Sequence, residues 1–77
     1  MNSYMFEGRT LNTDVPEDVL DRLAGLVIAY KTVSKAKVVK AAREQEGYIK
    51  GFLYGLEVGE VIDPDDSEEL LSFFMGQ

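Results

Sequence analysis

The chain has 77 residues, 14 acidic against 8 basic, and no histidine, cysteine or tryptophan. The absence of imidazole and thiol groups excludes a Ser-His-Asp triad, a Cys/His nucleophile and an ordinary zinc site. So short a chain forms one domain at most and buries only about 60% of its unfolded surface, which leaves little stability to spare.

Residues 1–13 show no helical period. Tyr4 and Phe6 alternate with Met5 and Glu7, as a short edge strand would, and Gly8 interrupts the pattern. An extended or partly mobile arm is expected there, contributing little to the core, ahead of a single helical domain over 14–77. Asp14 and Glu17, three residues apart with Pro16 between them, predict a capping box at the start of the first helix. Val19, Leu20, Leu23, Leu26, Val27 and Tyr30 then fall on one side of a 3.6-residue wheel, and the helix is expected to end near Lys31. Thr32, Val33 and Ser34 form the weakest helical stretch and predict a tight break, with Ser34 as the next cap; a single continuous helix is the alternative, because neither proline nor glycine enforces a stop there.

The second helix is expected over 35–58, about 24 residues and ~36 Å long. A globule of this size spans only about 30 Å, so this helix would overhang its own domain. Gly59 reads as its left-handed end, and Asp63-Pro64-Asp65-Asp66 as the capped start of a short third helix carrying Leu70, Leu71, Phe73, Phe74 and Met75. The expected fold is all-α: three helices, a long central one among them, behind an extended N-terminal arm.

The central helix has an unusual surface. Val38, Ala42, Ile49, Phe52, Leu53 and Leu56 make one apolar stripe. The opposite side carries Lys37, Lys40 and Arg43 first, and then Gly47, Tyr48, Gly51, Tyr54, Gly55 and Val58. Three interior glycines cost roughly 2.5–3 kcal/mol against alanine. Either a second helix approaches closely there or the glycines make room for Tyr48 or Tyr54 folding back; the first is preferred. Those six residues are the expected homodimer interface, with two copies packed antiparallel.

Charge is segregated. Lys31, Lys35, Lys37, Lys40 and Arg43 occur over 31–43 without an acid. Glu57, Glu60, Asp63, Asp65, Asp66, Glu68 and Glu69 follow Lys50 without a base. The acidic run does not match a calcium-binding loop, because Glu68 stands where the turn glycine is required. No metal or cofactor is expected. The run serves instead as helix-start acids and as a surface for another protein. No carboxylate is placed in an apolar pocket, and no glycine-rich phosphate loop lies between strand and helix, so an enzyme is not expected.

Gly47-Tyr48-Ile49-Lys50-Gly51-Phe52-Leu53-Tyr54, preceded by Ala41-Ala42, resembles the helix-turn-helix of tetracycline-repressor-type regulators over a short stretch. The resemblance implies a turn at Gly47 and DNA binding through residues 36–55, with Lys37, Lys40, Arg43 and Lys50 contacting nucleic acid. It departs from the family at Ile49, where a hydroxyl residue commonly caps the recognition helix. The following acids would repel phosphates, so nucleic acid is the alternative partner and another protein the preferred one. No apolar run approaches the roughly 20 residues that span a bilayer, and the N-terminus lacks a secretory pattern. With no cysteine, the expected compartment is the cytoplasm.

Overall fold

The computed structural model describes residues 2–76. A β-hairpin, β1 Asn2–Phe6 and β2 Arg9–Thr13, precedes α1 Glu17–Lys35, α2 Val39–Val58 and α3 Pro64–Met75. The chain is mostly helical and its N-terminal segment is extended, as expected, but the all-α expectation is corrected. Residues 2–13 form a small antiparallel sheet.

Turn chemistry explains the hairpin. Glu7 and Gly8 both adopt left-handed φ values, 50° and 78°, as a tight two-residue turn between twisted strands demands. Gly8 therefore closes the pattern that it interrupts in the sequence. Tyr4 pairs with Leu11 and Phe6 with Arg9, so these four side chains share one face. That face turns inward: Phe6 and Leu11 are buried, and the Phe6 ring meets Phe74 edge-on at 4.9 Å. Lys31 Nζ fastens the turn to α1, lying 3.1 Å from Glu7 Oε2 and 5.5 Å from the centre of the Phe6 ring. At the other side, the Arg9 guanidinium donates to the Phe73 carbonyl at 2.8 Å, satisfying an acceptor in the last turn of α3.

Two helix boundaries move from their expected places. Where the pattern predicts an Asp14–Glu17 box, Pro16 is the N-cap of α1 and no side chain caps it. Val15, held extended by the following proline, is buried, which leaves Asp14 two residues ahead of the cap. The expected break at 32–34 is absent: the Thr32 hydroxyl donates to the Ile28 carbonyl at 2.8 Å inside an unbroken helix. The reversal comes at 36–38 instead, with Lys37 at φ 60°. Lys37 N–H bonds Ser34 O and Val38 N–H bonds Val33 O, a Schellman end.

Consequently α2 has 20 residues, about 30 Å, and fits within a protomer measuring 37 × 29 × 20 Å. Nothing overhangs. At its far end Gly59 has an ordinary φ of −78°, and Glu60, at φ 59°, is the left-handed residue. Val61 N–H reaches Leu56 O at 2.9 Å, which sets the reversal one position later than expected. α3 starts as the sequence predicts, with Asp63 and Asp66 exchanging side-chain bonds to each other's backbone N–H.

The core gathers Leu20, Leu23, Ala24 and Val27 of α1, Ile49 and Leu53 of α2, and Leu70 and Phe74 of α3. Phe6, Leu11, Val15 and Ile62 complete it. The hairpin thus belongs to the same core as the helices.

Candidate functional site

α2 is 20 residues long, yet only Ile49 and Leu53 are buried. Ala42, Phe52 and Leu56 are half-buried beside them, so most of the expected inner stripe is present. Val38 is the exception: it caps the helix at the turn and is exposed.

The opposite face is open. Gly47, Tyr48, Gly51, Tyr54, Gly55 and Val58 are all exposed. Tyr48, Tyr54 and Val58 keep 57%, 68% and 66% of their surface in solvent. A Cβ added at Gly47, Gly51 or Gly55 would meet no other part of the protomer within 4 Å. The tyrosines point away from the core, so room for a folded-back ring does not account for the glycines. Within one protomer they cost helix stability with no contact to offset it.

The two ends of this face differ in charge. Beside the α1–α2 turn, Lys35, Lys37, Lys40 and Arg43 are exposed, together with Val38 and Val39. A shallow groove of about 230 Å³ lies there, lined by Tyr30, Ser34, Val38 and Ala42 among others. Lys50 stands apart from this group, paired with Glu46 at 2.8 Å one turn earlier on α2. That contact holds the Glu46 carboxyl below the usual range and the Lys50 ammonium above it. Lys31, the fifth base of the run, is committed to Glu7.

At the other end the acids divide into two groups. Asp63 and Asp66 are occupied by the capping box, and Glu57 Oε2 accepts from the Ser67 hydroxyl at 2.9 Å, tying α2 to α3. Glu60, Asp65, Glu68 and Glu69 are exposed. An open depression of about 460 Å³ surrounds the α2–α3 turn, with Glu57, Glu60, Asp63 and Asp66 on its walls. The seven acids therefore combine structural and exposed roles that charge alone does not separate.

Gly47 sits inside the continuous α2, so the turn implied by the tetracycline-repressor resemblance is not formed. The reason is local: no backbone reversal accompanies Gly47, and the helix hydrogen bonds run through it. Lys40 shares the stripe of Gly47, Gly51 and Val58.

The clearest titration effect lies away from this face. Tyr4 is pushed up to about 12, by burial first and then by its 2.8 Å hydrogen bond to Asp21 and the charges of Asp21 and Glu17. Among the described residues no three ligating side chains converge to hold a metal ion, and no helix is long and apolar enough to cross a membrane. Comparison of the chain with protein families, curated proteins and solved structures gives no match.

Proposed function

We propose that this chain is a small acidic protein-binding module, an adaptor, inhibitor or regulator, that acts through helical surfaces and not by catalysis. The observation that carries this reading is the open face of α2, where Tyr48, Tyr54 and Val58 stand exposed around three uncontacted glycines. Adjacent exposed apolar side chains on a soluble protein favour a contact surface. A second copy covers this face, and the glycines let the two backbones come close. Glu60, Asp65, Glu68 and Glu69 add an acidic surface for a further protein with a basic patch.

Light scattering of the wild type and Gly51→Leu at matched concentration tests the reading. The wild type should have twice the protomer mass at high micromolar concentration, and the leucine variant should revert to the protomer. A wild type that stays monomeric, or a variant that dimerises unchanged, overturns it. Retention on a DNA column that weakens steeply with salt would instead favour the nucleic-acid alternative through Lys37, Lys40 and Arg43.

A further inference from the structure

We infer that the α1–α2 turn is a docking tip for an anionic bilayer surface, with Val38 and Val39 entering between the headgroups and Lys35, Lys37, Lys40 and Arg43 holding the headgroup anions. The contact is peripheral, made by a turn and not by a spanning helix. Residues 34–40 are all exposed, and Val38 and Val39 keep 49% and 63% of their surface in solvent. Apolar side chains ringed by cations are complementary to an anionic lipid surface, where headgroup charge meets the lysines and the acyl boundary meets the valines. Nucleic acid satisfies the cations but leaves the valines in water. The groove beside the turn adds Ser34 and Tyr30, whose hydroxyls are donors to phosphate oxygens.

The charge at this tip is available. None of its four bases forms a salt bridge among the described residues, although the charge of Arg43 reaches Glu46. Of the nearby acids, Glu46 is bound to Lys50 and Glu7 to Lys31, which leaves Glu44 beside Val39, Lys40 and Arg43. Four bases against that one acid keep the tip positive, although the whole chain carries −6. The acidic α2–α3 turn lies at the other end of α2, about 30 Å away. That is more than three Debye lengths at physiological ionic strength, each about 8 Å, so its repulsion is screened from a surface touching the tip.

Local folding preferences run against this composition. Lys37 takes a left-handed φ of 60°, where glycine meets no steric cost. Val38 is the N-cap of α2 but offers no side-chain bond, and the first turn holds no acid. Lys40 instead sets a positive charge at the positive end of the helix dipole. α3 shows the stable alternative, with Asp63 as its cap and Asp65 and Asp66 in its first turn. Each departure at the tip weakens the fold and adds charge or apolar surface, so fold and contact favour different residues there.

That conflict supplies the test. Lys37→Gly relieves the backbone, and Val39→Asp puts an acid at the helix start. Both should raise the melting temperature while weakening binding to phosphatidylcholine vesicles that contain about a third phosphatidylserine. In co-sedimentation at low salt, the wild type should bind these vesicles and ignore phosphatidylcholine alone. Lys37→Gly should bind about fivefold more weakly, and Val39→Asp more weakly still. Val39→Trp gives the chain its one indole, whose emission should shift to the blue on the same vesicles. A wild type that ignores the anionic vesicles, or variants that bind as well as it does, overturns the proposal. So does binding without the blue shift, which would assign the tip to a soluble polyanion such as nucleic acid. Each of these results leaves the α2 self-contact standing, because that contact is judged by light scattering without lipid.

Discussion

The N-terminal hairpin and α2 invert the roles that their sequences suggest. Residues 2–13 have no helical period and little hydrophobic content, yet Phe6 and Leu11 are buried among side chains from α1 and α3. α2 has the longest periodic pattern of the chain and places only two residues in the core. The hairpin is small, but one of its two faces packs inward, with Phe6 and Leu11 buried and Tyr4 and Arg9 half-buried. α2 is long, but only the side towards α1 and α3 finds cover. A segment's share of the core therefore depends on how many of its faces meet a neighbour, and length or periodicity does not report that.

The largest test of the contrast pairs Phe6→Ala with Tyr54→Ala. Removing the Phe6 ring empties space beside Phe73 and Phe74 and should cost about 3–5 kcal/mol, enough to unfold much of a domain this small. Tyr54→Ala, on the open face, should alter protomer stability by less than about 0.5 kcal/mol. Urea denaturation at low protein concentration measures both. Equal losses would show that the hairpin is not the more deeply integrated of the two.

A smaller effect separates the protomer from the proposed pair. Gly25 on α1 and Gly51 on α2 are both exposed, and an added Cβ meets nothing in either case. Each change to alanine should stabilise the isolated protomer by up to about 1 kcal/mol through helix propensity. At concentrations where copies associate, Gly25→Ala should keep its gain and Gly51→Ala should lose part of it. Thermal melts at low and high concentration reveal the difference. Identical behaviour would mean that no backbone approaches Gly51.

The smallest effect concerns how the hairpin is held. Tyr4 ionises at about 12 in the fold against about 10 when free, so the folded state favours the neutral phenol. That contribution is complete below pH 10 and is lost as pH rises from 10 towards 12. The wild type should therefore lose stability over this window relative to Tyr4→Phe, whose side chain cannot ionise. Alkaline denaturation curves of the two proteins that keep a constant separation through this window would show that Tyr4 ionisation is not linked to folding.

Features set by neighbours within about one helical turn were legible in the sequence. Asp63 caps α3 ahead of Pro64 as expected, with Asp66 completing a reciprocal box, and the stripe of Leu20, Leu23 and Val27 faces the core. Both depend on groups three or four residues apart, which a helix brings together whatever surrounds it. The exposed face of α2, from Gly47 to Val58, was legible for the same reason.

Tertiary structure decided the rest. Val15 is buried, and with it the expected Asp14 cap is lost; the α1–α2 reversal falls at 36–38, where successive helix-end bonds close around Lys37. The hairpin depends most of all on distant partners. Lys31 grips its turn from 24 residues away, and Arg9 reaches a carbonyl 64 residues on. Two short strands alone are marginal in water, and only burial of Phe6 and Leu11 against helices that come later in the chain offsets the entropy of ordering them. A contact that spans most of the chain leaves no local period, so the alternation of Tyr4 and Phe6 marks a strand, but its pairing with β2 and its place in the core became legible only in the folded molecule.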